Sequence, residues 1–140
     1  DLACLAADTV RVFRDGRPEL RAVGADAEGR YIELQPMEKA LIPLGFRARL
    51  PEGYEAQVRP RSGTSLKTDL VIANSPGTID ADFPDEWMVP VKNGGLSPLQ
   101  IRHGERIAQM VLARYETLEF MAGAVSASTD RVGGFGSTGQ

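Results

Sequence analysis

Leu70-Val71-Ile72-Ala73-Asn74-Ser75-Pro76-Gly77-Thr78-Ile79-Asp80-Ala81-Asp82-Phe83-Pro84-Asp85-Glu86-Trp87-Met88-Val89-Pro90-Val91 is the stretch that decides the fold class. Its ends, residues 70–73 and 87–91, are short apolar runs rich in β-branched side chains, and they are bounded by turn residues such as Asn74, Pro76, Gly77 and Pro84. Working outward, the same texture recurs at residues 9–13, 31–34, 41–44, 55–58 and 99–102, each run bounded by turn residues. The 15 glycines and 9 prolines are spread along the chain instead of gathered into one linker. The reading is all-β, a sandwich or barrel of many short strands. Residues 106–122 contain neither Gly nor Pro, and Ile107, Val111, Tyr115 and Leu118 fit helical spacing as well as strand spacing, so both readings stay open there. A single helical turn is expected after Ser62, through residues 64–67, because a serine can cap the free amides.

A chain of 140 residues with 42% apolar side chains has room for one core. Residues 1–125 are expected to form one all-β domain, and residues 126–140, almost without apolar side chains, a flexible glycine-rich tail belonging to it. The net charge of -3 provides no bulk field toward nucleic acid or an anionic membrane, so a phosphate ligand needs a local site. Cys4 is the single cysteine, which excludes an internal disulfide and a cysteine-based zinc cluster. No apolar run approaches the ~20 residues of a membrane span. The chain opens at Asp1 without a basic segment before an apolar stretch, which reads as a trimmed start and a cytoplasmic location.

Two motif matches fail on context. Gly134-Phe135-Gly136-Ser137-Thr138-Gly139 spells G-x-G-x-x-G, yet a dinucleotide site needs a strand before it and a helix after it, and Gln140 follows directly. His103-Gly104-Glu105 opens a zinc deaminase signature whose downstream Cys pair is missing, so His103 is read as a hairpin-turn residue.

Five segments remain: Gly24-Ala25-Asp26, Pro60-Arg61-Ser62-Gly63, the run from Pro76 through Phe83, Gly104-Glu105-Arg106-Ile107-Ala108-Gln109, and Gly133 through Gly139. In that order and spacing they resemble the five motifs of the homotrimeric dUTP pyrophosphatases, the dUTPase family. The resemblance implies a distorted jelly-roll or β-clip barrel, a homotrimer with shared active sites, and Mg²⁺-dependent hydrolysis of dUTP to dUMP and pyrophosphate. It implies that Asp80 contacts the sugar 3′-hydroxyl and activates the attacking water, that residues 74–83 form a β-hairpin receiving the uracil and deoxyribose through Asn74, Gly77, Thr78 and Ile79, and that the Phe83 ring packs under the sugar. Arg61, Ser62, Gly63 and Gln109 would bind phosphate, and Asp26 would hold waters of the Mg²⁺. Arg131, Phe135, Gly136, Ser137 and Thr138 would close over the substrate as a lid.

The chemistry of these residues suits those roles. A guanidinium and a hydroxyl beside backbone amides match phosphate oxygens, and a carboxylate can accept a proton from water. Asp82, two residues after Asp80, would share its face in an extended segment and reads as a structural acid, while Arg106 also reads as structural. The sequence departs from the family where Phe83 replaces Tyr, Pro84-Asp85 replaces Arg-Gly, Thr64-Ser65 replaces Leu-Ala, and Arg131-Val132 is one residue short. Alternatives are a non-zinc dCTP deaminase, whose general-base Glu is Pro90 here, and a dUTP-binding regulatory protein with slow turnover.

Overall fold

The computed structural model describes residues 1–3, 7–126 and 128. Its strands in chain order are β1 (Leu2–Ala3), β2 (Thr9–Arg14), β3 (Arg17–Ala22), β4 (Gly24–Asp26), β5 (Gly29–Leu34) and β6 (Lys39–Pro43). After β7 (Tyr54–Arg59) comes the helix α1 (Ser62–Lys67), then β8 (Leu70–Ile72), β9 (Gly77–Ile79), β10 (Met88–Asn93), β11 (Leu99–Arg102) and β12 (Arg106–Arg114). They form three antiparallel sheets, ordered β1-β12-β7-β9, β3-β2-β6-β10-β8 and β11-β5-β4. The all-β expectation holds, as a distorted jelly roll.

Alternation explains the layering. Val10 and Val12 of β2, Ala40 and Ile42 of β6, and Val89 and Val91 of β10 point inward and are buried, while their neighbours Arg11, Lys39 and Met88 are exposed. Opposite sheets contribute Ile32, Leu34, Ala56, Val58, Ile101, Ile107 and Ala108 to the same apolar cluster. Trp87 caps it, 1% exposed, with its ring 5.2 Å from that of Phe46. Asp15 and Gly16, both at left-handed φ (49° and 77°), close the β2–β3 hairpin as an Asp-Gly turn whose twist matches the strands.

Two buried polar groups hold the connections. Asn93 donates through Nδ2 to the carbonyls of Leu34 (2.9 Å) and Ser97 (2.8 Å) and accepts from the Gly95 amide (2.9 Å), so its burial leaves nothing unpaired. Gly95 itself is required: a Cβ there would lie 2.3 Å from Asp69 Oδ2. Glu38 accepts from Arg14 Nε (2.9 Å), Arg21 Nη1 (2.6 Å) and the Gln35 amide (2.8 Å). Chiefly the Arg21 guanidinium, with the Gln35 amide and Arg14, outweighs burial and holds the Glu38 carboxyl down at about 2.

Four local expectations are resolved or corrected. The open region 106–122 is strand through Arg114 and irregular after it. The helix after Ser62 exists, but Arg61 is its N-cap residue and no side chain caps it, because Ser62 is already inside the first turn. β8 and β9 lie in different sheets, so residues 74–83 are a corner between sheets instead of a paired hairpin. His103 likewise sits in a turn joining β11 and β12, which also belong to different sheets. Among the described residues no helix is long and apolar enough to cross a membrane.

Candidate active site

The corner after β9 builds a cleft of about 440 Å³ lined by Asn74, Thr78, Ile79, Asp80 and Phe83, with Leu41, Met88 and Pro90 from the outer face of β6 and β10 as its apolar side. Gly77 is what lets Asn74 pack close, since a Cβ there would meet the Asn74 amide at 3.0 Å. Residues 81–82 form a turn, and the Phe83 amide donates to the Asp80 carbonyl at 3.2 Å. Asp82 is therefore not on an extended face shared with Asp80, although both carboxylates line a second cleft of about 630 Å³ with Arg49 and Tyr115. Asp80 thus lines both clefts, and the second also holds Glu52, so three carboxylates face the single guanidinium of Arg49 there.

A second group assembles at the other end of β7. Gln109 pairs across strands with Arg59, and its exposed amide donates through Nε2 to the Pro60 carbonyl at 2.8 Å, next to Arg61 in the chain. Ser62 and Gly63 open α1, and nothing lies within 4 Å of where a Gly63 Cβ would stand. That open space beside Arg61, Ser62 and free backbone amides fits an anion's oxygens.

The acid in this group was not legible in the sequence. β1 pairs with β12 in the register Leu2↔Ala108 and Ala3↔Arg106, which carries Asp1 to Arg61. Arg61 Nε and Nη2 donate to Asp1 Oδ1 (2.9 Å) and Oδ2 (3.1 Å), and Arg106 Nη1 donates to Oδ2 (3.1 Å). An acid at the start of the chain makes no pattern by itself; only the β1–β12 pairing reveals its place. Asp26, by contrast, is not brought to this cluster. It ends β4, accepts from the Glu28 amide (2.9 Å) and pairs with Arg102 Nη1 (2.9 Å) and Nη2 (3.0 Å), and Arg102 holds its carboxyl below the usual range.

The two groups are far apart within one chain. Asp80 leaves β9 just past the Ala56–Ile79 pair, whereas Arg61 leaves β7 past Arg59 at the opposite end. At about 3.3 Å per residue, roughly 10 Å of strand or more separates them. The expected lid residues Arg131, Phe135, Gly136, Ser137 and Thr138 lie outside the described residues, as does Cys4. No cluster of three or more His, Cys, Asp or Glu ligands occurs among the described residues.

The dUTPase family model matches residues 27–139, beginning just after Asp26. A curated relative from Finegoldia magna, deoxyuridine 5′-triphosphate nucleotidohydrolase, is 48% identical over 109 residues, covering 77% of this chain and 76% of the relative. A mutant dUTPase of Staphylococcus bacteriophage 80alpha, solved with dUpNHpp, superposes with a TM-score of 0.67 at 31% identity, covering 78% of this chain and 80% of that one. A mutant dUTPase from phage phi11 of S. aureus, described with a structural Mg(II) ion, gives 0.62 at 28% identity over 66% of this chain and 76% of that one. With four of the five sequence segments inside the matched range and the fold shared, the chain belongs to the dUTPase family.

Proposed function

We propose that this protein hydrolyses dUTP to dUMP and pyrophosphate, limiting uracil available to DNA and supplying dUMP. The observation that carries the reading is the convergence of Asn74, Thr78, Ile79, Asp80 and Phe83 on one cleft. In this reading Asn74 and the backbone of residues 77–79 read the uracil edge, and the Phe83 ring packs under the sugar where it crowds a 2′-hydroxyl. A cytosine amino group in place of the carbonyl would leave polar groups of the site unpaired, at about 1–3 kcal/mol each.

Asp80 takes a proton from water as the water oxygen attacks the α-phosphorus, and the bond to the bridging oxygen breaks to release pyrophosphate. Arg61, Ser62, Gly63 and Gln109 hold the phosphates and meet the charge gained by the leaving group. A carboxylate amid water and substrate phosphates would suit Mg²⁺, and Asp1 would hold the ion once Arg61 and Arg106 turn from it to the phosphates, whereas Asp26 stays with Arg102 away from that cluster. That ion would supply positive charge to the phosphate oxygens. The segment with Arg131, Phe135, Gly136, Ser137 and Thr138 is assigned to closing the site and excluding water.

We also propose a homotrimer with shared sites. Two features support it: the separation of Asp80 from Arg61 along β7, and the exposure of consecutive apolar residues Met110, Val111 and Leu112 together with Leu118, Phe120 and Met121. The test is to incubate the protein with dUTP and, separately, dCTP plus Mg²⁺ and identify the products. The expected result is dUMP and pyrophosphate from dUTP with dCTP untouched. Release of ammonia from dCTP, or binding of dUTP without turnover, would replace this reading with one of its rivals.

A further inference from the structure

Resting on the dUTP reading, we infer that Arg59 is a further triphosphate-binding residue, set beside Gln109 and aimed by a side-chain ladder along β7. Arg59 and Gln109 are directly opposite on antiparallel strands, so their side chains share one face. The Gln109 amide donates to the carbonyl of Pro60, the residue between Arg59 and Arg61, which ties it to the backbone that joins the two. Arg59 Nη2 donates to Gln57 Oε1, and Gln57 Nε2 donates in turn to Glu55 Oε1 at 2.6 Å. Glu55, Gln57 and Arg59 alternate with buried Ala56 and Val58, so the ladder runs along the outer face of the sheet.

Charge decides what this arrangement is for. Arg61 and Arg106 share the one side-chain carboxylate of Asp1, so both guanidiniums already have an acidic partner. A nucleoside triphosphate brings about four negative charges at neutral pH. Arg59 is the nearby cation with no acid in contact with it among the described residues: its partner is the neutral amide of Gln57. One donor is committed to orientation and the rest of the fork is available for phosphate oxygens.

The test measures binding of dUpNHpp and of dUMP, with Mg²⁺, to the full chain and to Arg59→Gln and Arg59→Lys by titration calorimetry. Arg59→Gln is expected to weaken dUpNHpp about tenfold or more while dUMP changes less than about twofold, with Arg59→Lys between. The salt dependence of dUpNHpp binding should flatten in the Gln variant. Unchanged dUpNHpp affinity in both variants, or an equal loss for the two nucleotides, overturns the inference and makes Arg59 structural. Failure of the unsubstituted protein to bind dUpNHpp would instead sink the dUTP reading itself. Should Arg59→Gln fail to fold, the Lys variant decides by the same ratio of the two nucleotides.

Discussion

Asp80 follows a three-residue strand and precedes a tight turn, so its backbone is held by strand pairing on one side and by the Phe83 amide closing the turn on the other. Asp80→Asn keeps the size and hydrogen-bonding capacity of the side chain but removes the proton acceptor. Turnover of dUTP is expected to fall by about 10²–10⁴ with dUpNHpp affinity within a few-fold of the original protein, by steady-state kinetics and calorimetry. Near-normal turnover would remove Asp80 from the base role. At this scale the sequence was readable where a motif is contiguous: Arg61 with Ser62, or Thr78 through Asp80, carry their neighbours with them. It was unreadable for Asp1, whose partners Arg61 and Arg106 are reached only through strand pairing, and silent on the Arg102 partner of Asp26 at the end of a short strand.

Between elements, the Glu38 network ties the connection before β6 to Arg14 of β2 and Arg21 of β3. The Glu38 side chain is 1% exposed while Arg21 and Arg14 are 25% and 61% exposed, so the anion depends on its partners more than they depend on it. With the carboxyl held down at about 2 against an ordinary 4.5, its contribution is fully present above pH 4.5 and is lost as pH falls toward 2. A shift of that size corresponds to about 3 kcal/mol. Glu38→Gln is expected to lower stability at pH 7 by roughly 2–3 kcal/mol and to match the unsubstituted protein near pH 2, in urea melts at several pH values. Equal stability of the two proteins at pH 7 would show that the network contributes nothing net. Strand identity was legible from alternation, because Val10 and Val12 or Val89 and Val91 carry a period of two. Which strands pair was not: β8 and β9 look like one hairpin by adjacency, and only the filling of a common core sends them to separate sheets. The end of β12 at Arg114 was hidden because Tyr115 and Leu118 continue an apolar pattern while remaining exposed.

For the molecule as a whole, the all-β class follows from local pattern, but the proposed division of the site over the length of β7 has no signature in local periodicity. Separate Asp80→Asn and Arg61→Gln preparations are each expected to be inactive or nearly so. Unfolded together in equal amounts and refolded, they should regain up to about a quarter of the original activity, since that fraction of sites pairs an intact Asp80 with an intact Arg61 from a neighbouring subunit. A mixture that stays inactive, although native mass measurement shows mixed trimers, would place both residues in one chain's site.

The spacing along β7 carries a consequence for how the protein enters service. In the proposed trimer, a single folded chain carries its Asp80 and its Arg61 in different sites and completes none of them. Under that proposal hydrolysis would begin only when subunits meet, and activity is expected to rise more steeply than protein concentration at low abundance. The strand that positions both halves of the chemistry thereby also acts as a threshold on it.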